Sequence, residues 1–504
     1  MASVAVCPRP SRQPSSNRRI PLSSRSKVIP IRTAAADSVE QEQTLYEVRK
    51  KIYPRAVSGW FASWRWTLVW ITQIVYYGAP WLSWNGRQAV LFDLGARKFY
   101  IFGIVFWPQD FIYLTLLLLI SAYSLFLFTT VAGRLWCGYA CPQTVYTEIF
   151  LWIERKVEGE RLAQMRLDAA ALSLRKFALK AIKHGIWIAL SLWTGFTFVA
   201  YFTPIHDLAR EAVTWSLGGW EAFWLLFYAF ATYGNAGWMR EQVCKYMCPY
   251  ARFQGVMFDR DTLVVAYDEE RGEPRGARAK KTDPKTAGLG DCVDCEICVQ
   301  VCPTGIDIRQ GQQYECIGCT ACIDGCNQVM DKMGYAPGLI RYASLNGVSQ
   351  HLGWREMLRR VLRPRVLVYS AVLWTIIIAA SVSLYFRAPV KVDVIRDRSA
   401  LSREVADGQI ENVYRLQIMN TQEVPRRLTI NATGIDQLAV SGIALPLEIG
   451  PATTQMITLN LRAPSEKTQK GSNRIEFHIT PIDVNGFTNP DEFSLHEKSV
   501  FFKR

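Results

Sequence analysis

The chain has 504 residues, half of them apolar, with 17 tryptophans and a formal charge of +14. Its mean hydropathy of +0.04 is high for a wholly soluble protein, and its length suits about three ordinary domains. Of 13 cysteines only Cys7 stands outside C-x2-C or C-x3-C groups, which excludes a disulfide framework spread through a secreted domain and points to thiols kept as metal or redox ligands.

Residues 1–60 open the chain with a Ser-, Pro- and Arg-rich stretch that has no acidic residue before Asp37 and no apolar signal-peptide core. An organelle transit peptide shares this bias; the reading here is a disordered basic cytoplasmic tail. Five apolar segments follow, at Trp66–Trp84, Phe111–Ala132, Gly185–Thr203, Trp220–Trp238 and Val366–Phe386. Each approaches the roughly 20 residues that a bilayer span needs. Phe99–Trp107 is too short, is ended by Pro108, and is expected to lie in the membrane interface with its aromatics at headgroup level. Lys and Arg crowd the tail, the loop Arg134–Lys183 and the stretch Arg359–Arg365, whereas the loop Pro204–Gly219 has only Arg210. The positive-inside rule therefore puts the N-terminus and residues 239–365 in the cytoplasm and the C-terminal segment outside. Much of the +14 is topology signal, so no nucleic-acid partner is expected.

Directly after the second and fourth predicted spans come Leu135-Trp-Cys137-Gly-Tyr-Ala-Cys141-Pro142 and Val243-Cys244-Lys-Tyr-Met-Cys248-Pro249-Tyr250. This span–span–motif repeat would present four thiols, Cys137, Cys141, Cys244 and Cys248, on one membrane face. Proline beside the second cysteine favours a helix start, and a helix N-terminus favours the thiolate needed for metal or redox chemistry. Small buried cysteines packed against the spans are the bland alternative. Met239 and Met247 could add thioethers for a soft cuprous ion, and His184 and His206 could contact a metal or a quinone. Glu148 and Glu154 fit a solvated or lysine-paired helix face. No phosphate loop, flavin fingerprint or haem-attachment motif is apparent, so electrons would come from a protein, a quinol or a small reductant.

The densest pattern lies between residues 292 and 326. Cys292, Cys295, Cys298 and Cys302-Pro303 form one C-x2-C-x2-C-x3-C run, and Cys316, Cys319, Cys322 and Cys326-Asn327 form a second. In two-cluster ferredoxins the fourth thiolate of each run crosses to the other cluster. On that rule one 4Fe–4S cluster takes Cys292, Cys295, Cys298 and Cys326, and the other takes Cys316, Cys319, Cys322 and Cys302. Zinc would also accept four thiolates, but zinc sites favour paired C-x2-C units or a Cys/His mix, and no histidine occurs between the runs. Asn327 replaces the proline that often closes a run, which is no ligand.

Residues 388–504 alternate apolar and polar residues, as in Val413-Tyr-Arg-Leu-Gln-Ile-Met and Arg474-Ile-Glu-Phe-His-Ile, between Gly, Asn, Pro and Asp clusters. This is the pattern of a small immunoglobulin-like β-sandwich. His478 and His496 fall in its strands and are expected to face solvent. The fold class is thus an α-helical polytopic membrane protein of about five spans, with an inserted two-cluster ferredoxin-like domain and a C-terminal immunoglobulin-like β-sandwich. Its parts are the tail 1–60, a four-span domain 61–260, the ferredoxin-like domain 261–362, a fifth span 363–387 and the exterior domain 388–504.

Together with Asp93-Leu-Gly-Ala-Arg-Lys-Phe-Tyr and the Trp-rich first span, this order of features over residues 45–504 resembles the CcoG (FixG or RdxA) family of cytochrome c oxidase accessory proteins of bacterial inner membranes. The resemblance implies reduction of cupric to cuprous copper at Cys137, Cys141, Cys244 and Cys248, with copper as substrate. It also implies assembly factors of the cbb-type oxidase and a copper transporter or chaperones as partners; a homo-oligomer is left open. Membrane ferredoxin subunits of NapH type share four spans, two C-x3-C-P motifs and two clusters, which keeps quinol oxidation as an alternative. A third reading is a non-enzymatic assembly scaffold whose clusters only stabilise the fold.

Overall fold

The computed structural model describes residues 51–280, 288–397, 402–405, 408–482 and 493–504. Residues 1–50 of the expected tail 1–60 lie outside the described residues. Residues beyond 51 are held against the rest of the chain: the Arg55 N–H donates to the Gln300 carbonyl at 2.8 Å, and the Tyr53 hydroxyl donates to Asp168 Oδ2 at 2.7 Å.

A long helix stands at each of the five apolar segments: Trp60–Gly78, Phe111–Ala132, Leu174–Val199, Gly219–Thr232 and Pro364–Tyr385. Two stretches, Pro108–Ala132 and Pro364–Tyr385, are long and apolar enough to cross a bilayer by length and composition, with mean hydropathies of 2.3 and 2.1. The other three depart from the expected bounds for local reasons. Trp60–Gly78 stops early because Ser83–Trp84 pairs with Arg87–Gln88 in a hairpin. Asn85 and Gly86 form its turn at positive φ, the backbone that an Asn-Gly pair suits best. Leu174–Val199 begins well before Gly185 and carries Lys176, Lys180 and Lys183 on its first turns. Gly219–Thr232 passes into a π-helical turn at Tyr233–Met239. Gly195 lets these last two helices cross closely, since a Cβ there would lie 2.2 Å from the Leu225 carbonyl oxygen.

The stretch Phe99–Trp107, too short to span a bilayer, is β-structure. Val90–Asp93, Lys98–Ile101 and Ile104–Phe106 form an antiparallel meander that buries Val105 and Trp107. Pairing with neighbouring strands, from Val90↔Ile101 to Asp93↔Lys98, organises the stretch. Just beyond it, the buried carboxylate of Asp110 pairs with Arg387 and Lys391, tying the start of one long helix to the end of another.

The segment with the two cysteine runs is closed by strands Val264–Tyr267 and Ile340–Ala343, which pair antiparallel from Val264↔Ala343 to Tyr267↔Ile340. Its longest helix is Ala321–Met333. Ile308, Ile323, Met330, Leu339 and Ile340 pack beneath the first run.

After Pro364–Tyr385 the chain forms two antiparallel sheets. One orders Ala439–Ser441, Thr454–Pro464, Gln409–Asn420 and Val390–Arg396, with Arg403–Val405 also paired to Gln409–Asn420. The other orders Leu447–Ile449, Arg426–Thr433, Gly471–Pro481 and Leu495–Lys503. Alternate residues point inward, so Leu416, Ile418, Leu428, Ile430, Leu459, Phe477 and Phe501 form a closed core. The Tyr414 hydroxyl, buried among them, donates to the Val500 carbonyl at 2.9 Å.

Candidate iron–sulfur and thiol site

The two cysteine runs are conformational copies. Asp294 and Glu296 in the first adopt φ of 52° and 55°, and Gly318 and Thr320 at the matching places in the second adopt 68° and 60°. Three of these four residues carry a side chain, so the left-handed turns cost energy that only a demanding local geometry repays. The turns wind each loop inward. Cys292, Cys295, Cys298 and Cys326 line one cavity with Tyr267, Arg309 and Ile340. Cys302 stands instead with the second run, where it acts electrostatically on Cys316, Cys319 and Cys322. The fourth thiol of each run therefore meets the other run's first three, and two sets of four soft sulfurs suit two 4Fe–4S clusters.

Burial pushes the Cys298 and Cys316 thiols up to about 11 and those of Cys319 and Cys326 up to about 12. Such thiols hold their protons until a metal centre replaces them. Arginines supply positive charge beside both sets. Arg309 lines the first cavity and donates to Asp307 at 2.7 and 2.8 Å and to Asp294 at 2.5 Å. Arg65, 6% exposed, donates to the Cys319 carbonyl at 3.1 Å.

The four thiols of the C-x3-C-P motifs also converge. Cys141 and Cys248 precede Pro142 and Pro249, the first residues of helices Pro142–Glu158 and Pro249–Met257. Cys137 lies in the short helix Leu135–Tyr139 and Cys244 in the π-helical turn Val243–Met247. Cys244 feels Cys141, Cys137 and Cys248 in turn. The expected helix-terminus effect exists at Cys141, whose sulfur accepts from the Gln143 and Thr144 N–H groups, but burial outweighs it and raises that thiol. Burial likewise pushes Cys137 up to about 11 and Cys244 up to about 12.

Thiol site and second cysteine run touch directly. A Cβ on Gly138 would lie 2.6 Å from the Gly318 carbonyl oxygen and 2.9 Å from the Cys319 Cα. One on Gly318 would lie 3.1 Å from the Arg134 carbonyl oxygen. The hydroxyls of Tyr139 and Thr320 share a hydrogen bond of 2.6 Å across this contact. A crevice alongside is lined by Cys244 and Cys319 with Arg65, Glu148, Arg240 and Glu241.

Of the suggested helpers, both histidines have aromatic partners. His184 meets the Tyr233 hydroxyl at 3.1 Å and stacks on Trp238, and His206 packs edge-on to Trp81. Met247 is exposed and Met239 half-buried in the π-helical turn. Glu154 takes the lysine-paired alternative: it is buried and paired with Lys183 at 3.4 Å and Arg240 at 2.9 Å, while Glu148 also meets Arg155 at 3.5 Å. Sequence reasoning missed Gln254, fully buried, whose amide donates to the Cys137 sulfur at 3.4 Å. It also missed Arg134, buried, which donates to the Ala251 carbonyl at 2.5 Å and acts on Cys137, Cys244 and Cys316. Their nearness in sequence to the C-x3-C-P motifs was the available signal.

Two matched loops with exchanged fourth cysteines define a two-cluster iron–sulfur protein built for electron transfer. Family models agree: a 4Fe-4S dicluster domain matches residues 239–345, a 4Fe-4S binding domain matches 114–159, and the IG-like fold at the C-terminus of FixG matches 380–504. Nitrogen fixation protein FixG of Rhizobium meliloti is 40% identical over 424 residues, 77% of this chain and 80% of that protein. Protein RdxA of Cereibacter sphaeroides is 39% identical over 460 residues, 88% of this chain and 96% of its own. Ferredoxin-type protein NapH of Haemophilus influenzae is 23% identical over 231 residues, 43% of this chain and 68% of its own. The solved FixG-related protein of Vibrio parahaemolyticus matches 23% of this chain and 98% of its own at 22% identity, with a TM-score of 0.20. The chain belongs to the FixG and RdxA family.

Proposed function

We propose that this chain is a polytopic inner-membrane protein that reduces Cu(II) to Cu(I) by single electrons, supplying cuprous copper for assembly of a cbb-type cytochrome c oxidase. The observation that carries this reading is the backbone contact between Gly138 of the thiol site and Gly318–Cys319 of the second cysteine run. When bound, the two clusters supply one-electron transfer. The residues of the chain do the rest. Cys137, Cys141, Cys244 and Cys248 offer soft sulfur, which prefers cuprous over cupric ion. All four are partly buried, and Arg134 offsets the charge of the thiolates that form. Uncovered aromatic and aliphatic side chains, Trp70 and Ile74 on Trp60–Gly78 and Trp220, Phe227 and Phe230 on Gly219–Thr232, support further membrane spans, and the Lys/Arg distribution supports clusters inside and the β-domain outside.

Each turnover consumes one electron and one Cu(II) and yields one Cu(I). Anaerobic addition of Cu(II) to the dithionite-reduced protein, followed with a cuprous chelator, tests it; serine at the four thiol positions should abolish the product and leave the iron content intact.

Quinol oxidation retains one supporting feature. A cavity of about 570 Å³ is lined by Phe198, Phe202, Trp220, Trp224 and Tyr228, with Glu221 at its polar edge, a shape suited to a flat amphipathic ring. Quinol-dependent reduction of the protein, with copper irrelevant, would favour that reading.

A further inference from the structure

Two of the five histidines in the chain meet on the outer face of the β-domain. His478 in Gly471–Pro481 and His496 in Leu495–Lys503 are direct cross-strand partners, and their rings lie 4.5 Å apart. Glu476, two residues before His478, shares this face by strand alternation. Ile475, Phe477 and Ile479 point the other way, into the core. The ligand atoms of Glu476, His478 and His496 all lie within 4.8 Å of one another. A divalent ion with bonds of 2.0–2.2 Å needs donors about 3.4 Å apart in a tetrahedral arrangement, so small side-chain rotations close the set.

Both rings are already oriented for this. The Nε2 of His478 is 2.7 Å from the Thr433 hydroxyl, and the Nε2 of His496 is 3.0 Å from the Ser494 hydroxyl. A hydrogen bond at one ring nitrogen holds the ring in place and leaves the other nitrogen to ligate. The Nδ1 of His496 faces Glu476 Oε1 at 3.9 Å. Thr433 comes from a third strand, Arg426–Thr433, so the sheet holds one ring from each side.

We infer that Glu476, His478 and His496 form an open, three-ligand site for a divalent transition ion, completed by water. Two imidazoles and a carboxylate suit Cu(II), Ni(II) and Zn(II), and affinity follows the order that puts Cu(II) highest. The inference is independent of the reading of the thiol site, because a surface site can hold Cu(II) whether or not the chain reduces it.

The test uses the full-length protein with oxidised clusters and with Cys137, Cys141, Cys244 and Cys248 changed to Ser, so that these thiols neither take nor reduce the ion. Cu(II) is titrated in and followed by EPR. One tight equivalent with nitrogen splittings from two imidazoles is expected. H496Q, at an exposed position on an outer strand, should leave a one-imidazole spectrum and weaken binding at least about tenfold. H478N/H496N should lose the signal, and E476Q should keep both nitrogens with weaker binding. Absence of a two-imidazole signal in the protein with native histidines overturns the inference whether or not the variants fold. So does its persistence in H496Q.

Discussion

Gly138 and Gly318 meet backbone to backbone, with 2.6 Å between the position a Gly138 Cβ would take and the Gly318 carbonyl oxygen. No side chain can stand between them. Gly138 follows Cys137, and Gly318 precedes Cys319, so the contact sets the backbone beside a thiol of the proposed copper site against the backbone beside a thiol of the second cysteine run.

Enlarging either partner should open that connection. Gly138→Val forces the two loops apart, at about 1–3 kcal/mol for overpacking. The variant should keep its iron, measured by chelation, and lower the rate of Cu(II) reduction at least about tenfold. An unchanged rate would show that this contact carries no electrons.

Arg65 should set the potential of the second cluster. Reduction adds negative charge, which a neighbouring guanidinium favours. A unit charge at roughly 10 Å and an effective dielectric near 20 is worth about 1.7 kcal/mol, on the order of 70 mV. Arg65→Met should therefore lower one of the two midpoint potentials by that order, and Arg65→Lys should restore part of it. EPR-monitored redox titration resolves the two centres. A shift of both by equal amounts would contradict the assignment.

Cuprous binding at the thiol site should tighten as pH rises. Cys137 and Cys244, pushed to about 11 and about 12, are protonated near neutrality and must each release a proton to bind. Proton competition falls with rising pH, so each thiol that deprotonates on binding raises the affinity roughly tenfold per pH unit, about 100-fold for these two alone. Competition with a chromophoric cuprous chelator between about pH 6.5 and 7.5 measures the slope. A flat profile would place the ion elsewhere.

Asp324 anchors the first long helix to the second cysteine run. Its buried carboxylate accepts from the N–H groups of Ala62 at 2.8 Å and Phe61 at 3.4 Å, at the start of Trp60–Gly78. Charge and cap together are worth about 1–2 kcal/mol. Asp324→Ala should lower the unfolding midpoint of the iron–sulfur segment, whereas Asp324→Asn, which keeps an acceptor, should lose less.

The pattern of sulfur spacing made Cys292–Cys326 legible, because thiolate chemistry demands fixed intervals along a loop. The β-domain was legible because Ile475, Phe477 and Ile479 alternate with polar neighbours. Other features depend on partners remote in sequence. Arg65 reaches Cys319 from a different segment, and composition cannot distinguish it from a surface arginine. Gln254 lies near the second C-x3-C-P motif, but its contact with Cys137 of the first motif comes from folding. Phe99–Trp107 is apolar throughout, and its β form depends on hairpin partners in Val90–Asp93. The pairing of His478 with His496 depends on strand register, which is fixed by the core on the other face.

The most direct test follows a single electron inventory. The protein is reduced anaerobically, freed of excess reductant and mixed with Cu(II), while cluster EPR and cuprous product are recorded together. Loss of the reduced-cluster signal in step with Cu(I) formation, abolished when Cys137, Cys141, Cys244 and Cys248 are serine, is the predicted result. Clusters that stay reduced beside unreduced Cu(II) would contradict copper reduction, and oxidase assembly that persists without the eight cluster cysteines would leave the chain a scaffold.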